Sequence, residues 1–120
     1  MSGRDWTLTV RVGPKVEHSQ HATLAAAADA LAARLAELDK SASRDEVRFF
    51  TRRIEPAQQV VARLELAGPD GEHGGIDLRG DGSEEAFSGR WRRRVIERRR
   101  SESATDALAR TLTGGSSQDV

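Results

Sequence analysis

The stretch VVARLELAGPDGEHGGIDL (residues 60–78) contains the pattern that decides the fold. From Val60 to Leu66, every second residue is apolar, and this period of two is typical of a strand with one buried face. The loop GPDGEHGG (residues 68–75) then supplies the glycine, proline and aspartate residues of a hairpin connection, and Ile76 begins the next strand. The stretch therefore predicts an antiparallel pair of strands, to which the rest of the sheet is added.

The N-terminal segment shows the same alternation. Apolar residues occupy every second position from Trp6 to Val12, which predicts a strand that ends at the Gly13-Pro14 turn. Residues 15–21 are expected to pair back as a short second strand. Farther on, residues 47–54 predict another strand, in which the adjacent side chains of Phe49 and Phe50 point to opposite faces.

Two alanine-rich segments predict helices. In the first, Thr23 is a plausible N-cap, and large apolar or alanine residues recur at steps of three and four on one side of the helix. These residues are Leu24, Ala28, Leu31, Leu35 and Leu38. The second helix covers about residues 102–113, with Ser103 and Asp106 as its capping pair. It offers Ala104, Leu108 and Leu112 to the core.

Residues 84–98 fit two structures. As a helix, they would align Phe87, Trp91 and Val95 at a spacing of four; as a strand, they would place Arg90, Arg92 and Arg94 on one face. The hairpin-turn sequence RGDGS (residues 79–83) just before them favours the strand.

These elements predict an α+β fold, a mostly antiparallel sheet of about five strands with two helices packed on one face. We expect residues 1–113 to form a single domain and residues 114–120 a disordered tail. Seventeen of the 120 residues are alanine, so the core is expected to be thin. Some apolar surface would then be left for a partner, and a homodimer is the commonest way to cover such a surface.

The composition bears on the cellular compartment of the protein. The chain has no cysteine, which excludes disulfides, thiol nucleophiles and Cys-ligated zinc. Residues 1–13 contain no apolar run typical of a signal peptide, and the most apolar stretch, residues 22–38, carries three charges, too many to span a bilayer. We therefore expect a cytoplasmic protein that does not insert into membranes.

No pattern in the sequence indicates an enzyme. Neither a nucleophile elbow nor a phosphate-binding glycine loop is present, and no cofactor or catalytic residue is assigned. Glu17, His18 and His21 form a compact group, but they lie in a predicted strand-to-helix region where their side chains need not converge on a metal. We interpret these histidines as surface residues and assign no metal site.

The strongest functional signal is a cluster of arginines. The nineteen basic and nineteen acidic side chains balance, yet residues 90–100 (RWRRRVIERRR) hold seven arginines and one glutamate, a local charge of +6. On one face of a strand, alternate arginines would lie about 6.6–6.8 Å apart, close to the phosphate spacing along one nucleic-acid strand. The candidate nucleic-acid-binding residues are Arg90, Trp91, Arg92, Arg93, Arg94, Arg98 and Arg99.

Residues 58–113 predict three strands around the turn Arg79-Gly80-Asp81-Gly82-Ser83, then basic residues, then an alanine-rich helix. This arrangement resembles the arm-type DNA-binding domains of phage tyrosine integrases. The resemblance implies a three-stranded sheet that enters the DNA major groove and a helix that braces it. This chain departs from that pattern because it has an additional strand-helix half in front and Glu84-Glu85 on the strand that would face DNA.

Two functions from different classes therefore fit the sequence. One is a small non-enzymatic module that binds DNA or RNA through the arginine-rich strand. The alternative is a homodimeric protein-interaction or structural module, whose arginines face an acidic protein partner or a second copy. A helical structure for residues 84–98 would favour the alternative, because it would spread the arginines around the helix.

Overall fold

A computed structural model describes residues 5–41 and 60–118 of the chain. The strands, in chain order, are β1 (Trp6–Val12), β2 (Lys15–His21), β3 (Val60–Ala67), β4 (His73–Arg79), β5 (Glu84–Ser88) and β6 (Arg94–Val95). The helices are α1 (Leu24–Ser41), between β2 and β3, and α2 (Ala104–Gln118), after β6. All six strands pair antiparallel in the order β2-β1-β3-β4-β5-β6.

The predicted α+β class is confirmed, with six strands in the described residues rather than about five. Both helices pack on one face of the sheet, and their apolar side chains join the strand residues in one core. The largest fully buried side chains of this core are Leu31, Leu64, Leu66, Ile76, Leu78 and Leu108. α1 covers β1 and β3, whereas α2 covers β4 and β5.

The local signals at the helix starts act as predicted. The Thr23 hydroxyl accepts a hydrogen bond of 3.1 Å from the amide of Ala26 and so caps α1. At α2, the Asp106 amide donates to the Ser103 hydroxyl (3.0 Å), and the Ser103 amide donates to the Asp106 carboxylate (3.3 Å). This reciprocal pair is a capping box, which fixes where the chain enters the helix.

The predicted turns also form. β1 and β2 are joined at Gly13, which adopts the left-handed φ of 58° that the tight connection needs. Between β4 and β5, the Arg79 amide donates to the Ser83 carbonyl at 2.9 Å, and the Asp81 carboxylate accepts from the Ser83 amide at 2.9 Å. The turn sequence thus closes a four-residue hairpin loop between the two strands.

The prediction of one continuous strand over residues 84–98 is wrong. β5 ends at Ser88, and the chain turns through residues 89–93 before β6 pairs back, with Val95 opposite Phe87. Gly89 allows this reversal because its φ is 97°, and a Cβ atom there would lie 2.4 Å from the Arg92 carbonyl oxygen. A residue with a side chain cannot occupy this position without strain.

Other predictions differ from the structure in extent or lie outside it. α2 begins two residues after, and ends five residues after, the predicted 102–113. The strand predicted at 47–54, with Phe49 and Phe50, lies outside the described residues. The division into a domain of residues 1–113 and a tail of residues 114–120 stays a prediction. In residues 5–41 and 60–118, no helix combines the length and apolar character needed to cross a membrane.

Candidate nucleic-acid interface

The arginine segment, which we define as residues 90–100, follows β5 at the edge of the sheet. Residues 90–93 form a turn, Arg94 and Val95 form β6, and the remaining residues lead without regular structure towards α2. The Ile96 amide donates to the Ala86 carbonyl at 2.8 Å, which extends the attachment of the segment to β5 by one residue. The evenly spaced ribbon of Arg90, Arg92 and Arg94 is therefore not formed, because the first two lie in a turn.

Trp91 lies in this turn with 89% of its surface exposed. Val95, in β6, is 63% exposed. An indole with so little protein contact contributes almost nothing to the core, although large aromatic side chains usually bury most of their area. Trp91 therefore offers a flat apolar surface to a binding partner.

Arg93 has a different role from its neighbours. Its guanidinium lies 4.5 Å from the ring centroid of Phe87 and donates a hydrogen bond of 3.4 Å to the Glu65 carboxylate. Glu65 also lies 3.5 Å from the Arg11 guanidinium. These contacts attach the turn to the sheet face opposite the helices, so Arg93 positions the segment and has only part of its side chain available to a ligand.

Phe87 packs against the Arg93 guanidinium and so supports the attachment of the turn to the sheet. Only 4% of its surface is exposed, although it lies on the sheet face that the described helices leave uncovered. Its ring fits over Gly75 of the neighbouring strand, where a Cβ atom would lie 2.8 Å from the Phe87 Cζ atom. The Arg63 guanidinium, held by two hydrogen bonds to Asp77 (2.6 and 3.2 Å), lies 5.9 Å from the ring centroid. Phe87 thus links Arg93 to the rigid centre of the sheet.

The second half of the arginine segment is fixed by a clamp at the start of α2. Arg110 donates two hydrogen bonds to Glu102 (2.7 and 2.9 Å) and a third to the Glu97 carbonyl (3.1 Å). The Glu102 carboxylate also accepts from the Arg99 amide at 2.8 Å. The hydrogen bonds from Arg110 and from this amide lower the pKa of Glu102 to about 2, so the carboxylate is ionised in all but strong acid.

Of the segment's seven arginines, only Arg93 forms a salt bridge with a described residue. The other six are exposed, and no carboxylate of residues 5–41 or 60–118 lies within salt-bridge distance of their guanidinium groups. They are Arg90, Arg92, Arg94, Arg98, Arg99 and Arg100. By contrast, Arg11, Arg34, Arg63, Arg79 and Arg110 each pair with a carboxylate. The unpaired arginines of the described residues are thus concentrated in one segment.

The histidine group does not converge. His18 and His21 are three apart on β2 and so point to opposite faces; His18 hydrogen-bonds Thr9 (3.1 Å), and His21 bonds Ser19 (2.8 Å). Glu17 accepts two hydrogen bonds from Arg34, both 3.2 Å. Among the described residues, no three His, Asp or Glu side chains are grouped in a way that could hold a metal ion.

Sequence reasoning located the cluster but missed its division into one anchored and six unpaired arginines. The partner of Arg93 is Glu65, 28 residues earlier, and no short-range pattern connects the two. No protein-family model, curated protein or solved structure matches this chain.

Proposed function

We propose that the protein is a small non-enzymatic module that binds DNA or RNA through the arginine segment. The observation that carries the proposal is the group of six exposed arginines without a carboxylate partner among the described residues, beside the exposed Trp91. Outside the segment, every arginine of the described residues pairs with a carboxylate.

The chemistry of the segment suits a polyanion. Each guanidinium that neutralises a phosphate releases condensed counterions, and this release supplies most of the affinity of sequence-independent binding. An exposed indole can stack on an unpaired base, a contact worth about 1–3 kcal/mol. Arg90 and Arg92, on either side of Trp91, place cations next to such a base.

The shape of the segment favours contact through a turn and a sheet edge. A turn with an exposed tip can reach into a groove or meet a single strand, whereas a flat ribbon would need the regular spacing that residues 90–93 lack. The resemblance to arm-type integrase domains stays a prediction. In this chain the cations would approach DNA from beyond β5, not from the sheet face that the resemblance implies.

We further propose a cytoplasmic location for this module. A polyanion-binding role agrees with that location, because nucleic acids are abundant there.

Fluorescence anisotropy with labelled duplex DNA, single-stranded DNA and structured RNA tests the function, between about 50 and 200 mM salt. The test variant carries Arg90→Gln, Arg92→Gln and Arg94→Gln. The control carries Lys15→Gln, Arg34→Gln and Arg79→Gln, which removes the same charge from residues outside the arginine segment that do not contact Glu65 or Arg93.

The slope of log affinity against log salt is expected to fall by about 2.7 on duplex DNA, or about 2.1 on a single strand, in the test variant. The control variant is expected to change this slope by less than about 0.9, the contribution of a single phosphate contact on duplex DNA. Trp91→Ala is expected to weaken single-strand binding more than duplex binding. Equal slopes for the test and control variants would overturn the proposal and direct the search to protein partners.

A further inference from the structure

A groove of about 540 Å³ runs between α1 and α2 on the side of the molecule that carries the helices. Its apolar lining consists of Leu35 and of small side chains, mainly alanines of α1 spaced three or four residues apart. They are Ala25, Ala28, Ala32 and Ala36, with Ala109 from α2. A volume of this size accommodates more than one side chain of a partner.

The polar lining of the groove is acidic. Four carboxylates line it, Asp29, Asp39, Glu84 and Asp106, and no lysine or arginine of the described residues does. None of the four forms a salt bridge with a described residue, although Asp106 caps α2. Burial raises the pKa of Glu84, and the neighbouring Asp39 raises it further, while Arg98 partly opposes both. The groove thus concentrates negative charge that the described part of its own chain leaves largely unneutralised.

We propose that this groove binds the turn at the start of the arginine segment, with Arg90 and Arg92, of a second copy of the chain. Residues 90–100 carry a net charge of +6, and the charged residues that line the groove in the described part of the chain are four carboxylates, so the two surfaces are complementary. Arginine stems can lie along the alanine methyl groups while their guanidinium groups form paired hydrogen bonds with the carboxylates at the rim.

The turn of the same copy cannot fill the groove. Glu84 begins β5 and Ser88 ends it, so the two are separated by about 13 Å along the strand. Residues 89–93 follow Ser88, at the end of β5 remote from the groove. Arg90 and Arg92 can therefore reach such a groove only on another molecule.

A reciprocal two-fold dimer would use both contacts at once, with the segment of each copy in the groove of the other. A head-to-tail contact would instead leave one groove and one segment of each assembly available for further copies, and the dependence of assembly size on concentration distinguishes the two. Nucleic acid would compete with either contact for the same arginines. The inference does not rest on the proposed function, because it concerns a partner of the groove.

Sedimentation velocity across a concentration series, at low and high salt, measures this association directly. The groove variant is Asp29→Arg, and its matched control is Asp70→Arg; both aspartates are exposed and form no salt bridge with a described residue. The segment variant is Arg92→Glu. Circular dichroism and thermal unfolding of each variant report whether the fold is retained.

We expect the wild type to associate at low salt and to dissociate at high salt. Asp29→Arg and Arg92→Glu are each expected to weaken association about tenfold, and Asp70→Arg to leave it unchanged. A mixture of Asp29→Arg with Arg92→Glu is expected to associate more tightly than either variant alone, because each reversed surface then finds a complementary partner.

A wild type that remains monomeric up to about 1 mM at low salt would overturn the inference. A mixture that associates no better than its components would also overturn it. The anisotropy assay separates this failure from that of the proposed function, because Asp29→Arg leaves every arginine of the segment in place. Unaltered self-association of Asp29→Arg together with lost nucleic-acid binding of Arg92→Glu would reject the groove and retain the function.

Discussion

Replacing Phe87 by alanine tests whether the sheet face opposite the helices has its own packed centre. The ring is 96% buried, with 4% of its surface exposed, and lies against Gly75 beneath the guanidinium groups of Arg93 and Arg63. Loss of a buried phenylalanine costs about 3–5 kcal/mol of unfolding free energy. Each cation–π contact accounts for about 0.5–1 kcal/mol of that loss when it is partly exposed.

Urea unfolding followed by circular dichroism measures the effect. A small domain has a total stability of about 5–15 kcal/mol, so Phe87→Ala is expected to remove a large fraction of it. Phe87→Leu keeps most of the side-chain volume, is expected to cost less than about 1.5 kcal/mol, and provides a folded variant for comparison.

The control for this prediction lies four residues along the chain. Trp91 is larger than Phe87 but 89% exposed, so Trp91→Ala is expected to change the unfolding free energy by no more than about 0.5 kcal/mol. A loss below about 1 kcal/mol for Phe87→Ala would refute the reasoning, because this is less than burial of an aromatic ring contributes. A comparable loss for the two variants would also refute it.

Two further perturbations test the supports of the arginine segment. Gly75→Ala places a Cβ atom 2.4 Å from the Leu64 carbonyl oxygen and 2.8 Å from the Phe87 Cζ atom, so it is expected to lower the urea midpoint by the equivalent of about 1–3 kcal/mol; an unchanged midpoint would contradict the close fit. Hydrogen bonds from Arg110 and a backbone amide lower the pKa of Glu102 from 4.5 to about 2. The ionised carboxylate therefore stabilises the fold fully above pH 4.5, and this stabilisation is lost as the pH falls through about 2. We therefore expect the urea midpoints of wild type and Glu102→Gln to differ most at neutral pH and to converge in acid. A difference between the two midpoints that does not change with pH would show that the Glu102 charge is unimportant.

Much of the fold could be predicted because its signals are local. The alternation from Trp6 to Val12, the Gly13-Pro14 turn and the capping box at Ser103 each act within a few residues, and the structure confirms all three. The spacing of apolar residues likewise placed Leu31 and Leu108 in the core. Such signals identify elements and turns without knowledge of the remaining chain.

The sequence shows where the arginine segment lies in the chain but not which conformation it adopts. Phe87, Trp91 and Val95 keep the spacing of a strand face, and nothing in that spacing shows that Gly89 reverses the chain between the first two. The reversal depends on tertiary contacts: the Gly89 amide donates to the His73 carbonyl at 2.8 Å, and Arg93 contacts Glu65. Long-range pairs of this kind leave no periodic trace, so the same pattern predicted a continuous strand.

The sheet order also has a kinetic consequence. β3 to β6 follow one another as a meander, whereas β1 pairs with β3 across the 47 residues numbered 13–59. Closing that loop costs about 2 kcal/mol more chain entropy than closing the four-residue loop between β4 and β5. We therefore expect the transition state for folding to contain the meander of residues 60–95 and to lack the β1–β3 pairing. In that order of events, φ-values would be high for Leu78→Ala and near zero for Val10→Ala. The half of the chain that carries the arginine segment would then take shape first, and the N-terminal strands would dock onto an edge that already exists.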